Sequence, residues 1–131
     1  MPDASPFRTW NGRDAYAFGD GVGLHAIGGD QVLLCRVRYD AGKQVPLHVH
    51  ADTEQVMYIV EGEVEVTVEG ETQTMRSGDM AVITRGLEHS LFSPTGVVFM
   101  EALAPVPLDH VPDRQLDLVL GAEAGAGHVE R

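Results

Sequence analysis

A single cysteine, Cys35, stands in 131 residues, so no disulfide can form within the chain. A domain of this length can bury an adequate core without such staples. A lone thiol also suits a reducing compartment. Long apolar runs are missing as well. Apolar residues make up 44% of the chain, yet no stretch approaches the roughly 18 residues that span a bilayer. Met1 to Trp10 has no basic stretch followed by an apolar one, so it does not read as a secretory signal; a cytoplasmic location is the expectation. Basic residues are scarce: nine Lys and Arg face twenty Asp and Glu, for a formal net charge of −11. Phosphate backbones and anionic membranes repel such a chain, which argues against nucleic-acid and membrane partners. Internal repeats are absent too.

What is present is short and alternating. Leu33 to Tyr39 reads LLCRVRY, with Cys35, Val37 and Tyr39 on one face and Arg36 and Arg38 on the other. Glu63 to Glu69 reads EVEVTVE, with valines on one face only. This period of two marks antiparallel strands with one dry and one wet face. A tight turn at Gly70-Glu71 is expected to join that strand to Thr72–Arg76. Further apolar runs cover Val56–Val60, Met80–Thr84 and Val97–Leu103, and Gly, Asp or Pro separates them, as at Glu61-Gly62. Many short strands punctuated by turns predict an all-β sandwich or barrel. We assign 1–30 to an N-terminal segment with an edge strand at Gly21–Ile27, 31–108 to the barrel core, and 109–131 to a C-terminal segment. Pro112–Leu120 suits a helical turn or a last strand equally, and the Gly- and Ala-rich tail from about 121 is expected to be disordered.

The chemistry-bearing residues concentrate in one stretch. His48 and His50 are two apart on an expected strand, so both point to one face. Gln55 follows in the next run, with Met57 and Ile59 at the same parity. His89 lies much further along, after Gly78 and Gly86. Three imidazoles and an oxygen donor suit one borderline divalent ion, such as zinc, nickel, iron, manganese or copper. His25, His110 and His128 show no such spacing and read as structural or solvent-facing. Glu101 is out of place in the apolar run VVFMEAL. Facing inward it would have a raised pKa and suit proton transfer; facing outward it would be an ordinary surface carboxylate, and the two readings are near even. Phe99 and Leu103 share its face. Tyr39 is a second polar candidate.

These residues carry a family resemblance. Gly42, five residues, His48-x-His50, and then Gly62 resemble the first motif of the cupins. Gly78, five residues, Thr84-x-Gly86, two residues, His89 and then Ser93 resemble the second, with Thr and Ser where the family has Pro and Asn. Fifteen residues separate the motifs. The resemblance implies a single-domain jelly-roll β-barrel holding one divalent metal through His48, His50, an acidic-position ligand and His89. Six residues back from Gly62 that ligand is Gln55, whereas three residues on from His50 it is Glu54; strand parity into Gly62 favours Gln55.

Within the cupins the chain resembles the small cyclases of bacterial aromatic polyketide pathways, of the resistomycin and tetracenomycin type. The implied reaction is aldol-type ring closure of a poly-β-ketone, with Glu101 or Tyr39 as the proton-transfer group and Met57, Phe92, Phe99 and Leu103 lining the pocket. Cupins that open unsaturated uronate sugars carry a similar ligand set, but with an arginine where this chain has Pro105-Val-Pro107. A cupin dioxygenase, and a non-catalytic metal or small-molecule binding cupin, are further readings. The resemblance also implies a homodimer.

Overall fold

The computed structural model describes residues 6–17, 20–106, 117–118 and 127–128. Among these residues all regular structure is β, as the alternation predicts. The strands are β1 (Tyr16–Ala17), β2 (Val22–Gly28), β3 (Leu33–Tyr39), β4 (Lys43–His48), β5 (Glu54–Val68), β6 (Glu71–Arg76), β7 (Met80–Ile83), β8 (His89–Ser93), β9 (Val97–Ala104), β10 (Asp117–Leu118) and β11 (Gly127–His128). The last two pair only with each other. The C-terminal expectations otherwise fall outside the described residues.

The main path runs β1-β2-β3-β9-β5-β8-β4, with β6 and β7 also on β5, and every pairing in it is antiparallel. The fold is the expected jelly-roll barrel. Its hinge is β5, which is one strand of 15 residues where the sequence suggested two. Its first half pairs with β7 and β9, and its second half with β6 and β8. Glu61-Gly62, read as a separator, is a bend within the strand. The register with β9 slips between Ile59 and Glu61, as a bulge does when it turns a strand. Gly62 sits there at φ 82°, and a Cβ on it would overlap the Gly96 carbonyl oxygen.

Two other local expectations shift. The β5–β6 hairpin turns at Glu69-Gly70, one residue earlier than expected, with Val68 opposite Glu71. Both turn residues have positive φ (50° and 84°), which the two-residue turn matching strand twist requires. The edge at Gly21–Ile27 is not bare: β1 pairs outside β2 at Gly23 and Leu24, and β3 pairs along all of β2.

The dry faces meet as the alternation requires. Leu33, Met57, Ile59, Val64, Phe99 and Leu103 are essentially inaccessible. Cross-strand rows stack them: Leu33–Leu103–Gln55–Ile83, then Cys35–Glu101–Met57–Ala81, then Val37–Phe99–Ile59. Two polar residues therefore project inward from an otherwise apolar wall. They define the site.

Candidate metal centre

The two histidine regions meet through strand pairing. In the β4–β8 ladder His48 lies opposite His89, after a register slip between Val45 and His48. A turn follows Ile83, in which the Leu87 amide donates to the Thr84 carbonyl, and the Gly86 amide donates to the His50 carbonyl at 2.8 Å. That bond fixes the His50 loop, just past the end of β4, against the segment leading into His89. The rings stand close, with centroids 5.1 Å apart for His48–His50, 4.1 Å for His48–His89 and 5.3 Å for His50–His89. One ligand atom from each lies within 4.8 Å of the others. His50 and His89 are buried and His48 is half-buried.

The donor set suits a cation. His48 Nδ1 is 2.8 Å from the Pro46 carbonyl oxygen, and His89 Nδ1 is 3.0 Å from that of Leu87. A carbonyl oxygen only accepts, so each Nδ1 carries the proton and each Nε2 keeps its lone pair. This is how metal-binding imidazoles are oriented. Gln55 is buried and shares a cavity with His48 and His50. Its Nε2 donates to Glu101 Oε1 at 2.6 Å, and its Oε1 is buried with no hydrogen-bond partner. An orphaned buried oxygen costs roughly 1–3 kcal/mol, and a cation would repay it. Glu54 is exposed on the opposite face. His48, His50 and His89 are compatible with one divalent ion as nitrogen donors, and the buried Gln55 Oε1 shares a cavity with two of them.

The cavity encloses about 40 Å3 of free space, lined by His48, His50, Gln55 and Glu101 together with Leu24, Val37, Tyr39, Val45, Leu91 and Phe99. Among the described residues no lysine or arginine lines it. Glu101 is 8% exposed, and burial pushes its pKa up from 4.5 to about 7. Burial, and then the neighbouring Glu101 carboxylate, raise the Tyr39 phenol well above its ordinary value. Tyr39 therefore keeps its proton and can donate a hydrogen bond, but it is a poor base. Cys35, opposite Glu101 across the strands, is raised for the same reasons and remains an inert thiol.

The expected pocket wall is corrected in part. Phe99 lines the cavity, and its ring meets that of Tyr39 edge-on at 5.7 Å. Met57 and Leu103 point inward but are packed into the core beside the cavity. Phe92 does not line it: β8 alternates, His89 and Leu91 turn inward, and Phe92 is half-buried on the other face. Leu91 takes the place assigned to Phe92. Its parity with His89 was a usable signal. Leu24 comes from β2 and Val45 from β4, which lie far apart along the main sheet path, and no local pattern brings them together.

Residues 35–102, more than half of the chain, match the family of the cupin domain (Cupin_2). The chain is a cupin. The cupin is 43% identical over 49 residues to a quercetin 2,3-dioxygenase of Bacillus subtilis, a stretch covering 37% of this chain and 14% of that protein. It is 30% identical over 92 residues to the tetracenomycin polyketide synthase protein TcmJ of Streptomyces glaucescens, covering 66% of this chain and 62% of that one. The matches thus span less than two thirds of either relative's length. Among solved structures, an RmlC-like cupin from Shewanella frigidimarina superposes with a TM-score of 0.75 at 24% identity, covering 83% of this chain and 98% of that one. That likeness supports the same fold.

Proposed function

We propose that this cupin is a metal-dependent enzyme that closes rings in a poly-β-ketone by aldol-type condensation. The carrying observation is the cavity itself. A buried carboxyl with a pKa near neutrality shares a mostly apolar chamber with the histidine cluster, and Gln55 links the two through its amide. The likeness to the tetracenomycin polyketide synthase protein supports the same substrate class. His48, His50, His89 and Gln55 would hold a divalent ion, which would supply Lewis acidity toward a carbonyl oxygen. Glu101 then removes a proton from a methylene between two carbonyls. The carbanion electrons form the new C–C bond to a second carbonyl carbon of the same chain as the C=O π bond of that carbon opens onto its oxygen, and the proton returns from Glu101 to the alkoxide so formed. Tyr39 donates a hydrogen bond to a substrate oxygen. Leu24, Val37, Val45, Leu91 and Phe99 exclude water and favour a planar, uncharged substrate edge. A cytoplasmic small-molecule role agrees with this chemistry.

Among the described residues the cavity lining carries no cationic side chain, which disfavours the uronate reading, because a sugar carboxylate would lack a partner there. The stretch shared with quercetin 2,3-dioxygenase favours a cupin dioxygenase as the second reading. The deciding experiment supplies purified, metal-loaded protein with a poly-β-ketone and reads the product pattern, since the uncatalysed reaction yields mixtures. A single ring pattern supports cyclisation. An unchanged mixture, with oxygen consumed on a flavonol instead, moves the assignment to the dioxygenase.

A further inference from the structure

The Gln55 amide has two ends of nearly the same shape and opposite hydrogen-bonding character, so something must decide which end faces the histidines. Its ladder neighbours cannot. Gln55 lies opposite Leu103 on β9 and Ile83 on β7, and both are buried apolar side chains. Glu101 stands two residues from Leu103 on the same face of β9, which makes it the diagonal neighbour of Gln55 across the ladder. Long side chains bridge that separation. Here the bridge is made, with Gln55 Nε2 donating to Glu101 Oε1 at 2.6 Å. A carboxylate only accepts, so it takes the amide's N–H end and turns its carbonyl end away. Gln55 Oε1 is thereby left buried and without a hydrogen-bond partner, on a residue that shares its cavity with His48 and His50.

We infer that Glu101 is a positioning residue for the metal centre: by holding Gln55 Nε2 it presents Gln55 Oε1, rather than the amide protons, to a divalent ion at the histidine cluster. This rests on the reading of Gln55 as the oxygen donor, and adds that the donor is oriented before any ion arrives. Without Glu101 the amide is free to turn over, and its N–H groups would then face the cation with the wrong sign. Nothing else in that wall holds it. Among the described residues Glu101 is the one side chain hydrogen-bonded to the Gln55 amide. Cys35 and Met57, the cross-strand neighbours of Glu101, carry sulfur, which accepts only weakly. The same arrangement accounts for an amide at the position where the resemblance implies an acidic ligand. A carboxylate at 55 has no proton to give Glu101, and two acceptors would meet.

Competition of the full chain with a chelator for Co2+, together with the visible spectrum of the bound ion, tests this. Glu101→Leu removes the acceptor and should weaken Co2+ binding ~10- to 100-fold, whereas Glu101→Gln, which loses the charge but keeps an acceptor oxygen, should stay within ~3-fold of wild type. The Glu101→Leu spectrum should move toward that of Gln55→Ala, because both lack the same donor. Cys35→Ala alters the packing opposite Glu101 without touching the bond, and should change neither affinity nor spectrum. Wild-type affinity and spectrum in Glu101→Leu, beside weakened binding in Gln55→Ala, overturn the positioning role and leave the donor reading standing. Wild-type affinity and spectrum in Gln55→Ala, or no Co2+ bound by the wild type, overturn both. Equal losses in Glu101→Leu and Glu101→Gln are an effect of charge and overturn the inference. If Glu101→Leu fails to fold, nuclear Overhauser contacts in the wild type loaded with Zn2+ decide. Gln55 amide protons beside the Glu101 side chain support the inference; amide protons beside the His48 and His50 rings overturn it.

Discussion

Replacing Glu101 by Gln isolates the property on which the proposed chemistry depends, a carboxyl held inside an apolar wall. Gln has nearly the same shape. Its amide oxygen can accept the bond that Gln55 Nε2 now gives to Oε1 at 2.6 Å, so the fold should survive. What disappears is a titration. Glu101 has an ordinary value of 4.5 and a folded-state value of about 7. Below pH 4.5 it is protonated in both the folded and the unfolded chain, and the wild type bears no penalty. Between about 4.5 and 7 the folded state holds the proton and the unfolded state releases it, so stability falls by about 1.4 kcal/mol per pH unit. Above 7 the full penalty of about 3 kcal/mol is in place. Chemical denaturation of metal-free protein with a chelator, from pH 4 to 8, reads this directly. The stability of wild type minus that of Glu101→Gln should drop by about 3 kcal/mol across that range. Parallel curves would mean that Glu101 reaches water and is not a tuned acid–base group.

Other perturbations separate the remaining parts of the account. Glu101→Gln should retain metal yet slow ring closure roughly 100-fold, read by single-turnover product analysis; an unchanged rate and pattern would make Glu101 a bystander. Gln55→Ala should weaken metal binding or alter the spectrum of a cobalt-substituted site, while Glu54→Ala should do neither; the reverse outcome would place the chain one residue out of register. Gly62→Ala should destabilise the protein by about 3 kcal/mol or more in denaturant, because a side chain at φ 82° meets the Gly96 carbonyl across the sheet; a loss under about 1 kcal/mol would mean that β5 bends without this close approach.

The barrel was legible because alternation is local. LLCRVRY and EVEVTVE state which side of each strand is dry, and a strand has only two sides. The same parity put Gln55 inward and Glu54 outward. Glu101 was ambiguous in the sequence because an apolar strand flanked by apolar residues hides its parity; the pairing with Cys35 and Met57 turns it inward. The errors differ in cause: whether Glu61-Gly62 ends a strand or bends it depends on β9 pairing at that point, whereas placing Phe92 in the cavity goes against its parity with His89, which turns Leu91 inward. Leu24 and Val45 come from strands far apart in the sheet, and nothing local in the sequence shows that they share a cavity.

The central claim is that His48, His50, His89 and Gln55 hold one divalent ion. Its most direct test is elemental analysis of protein dialysed against a trace-metal mixture, for the wild type and for His89→Ala. His89 is fully buried, opposite His48 in the ladder, with its Nδ1 engaged by Leu87, so its loss removes one of four donors without touching the outer surface. We predict close to one ion per chain in the wild type and well under a tenth in His89→Ala, consistent with the ~10–100-fold or greater loss of affinity that disturbing a metal's support brings. Equal metal content in the two proteins, or none in the wild type, would contradict the account.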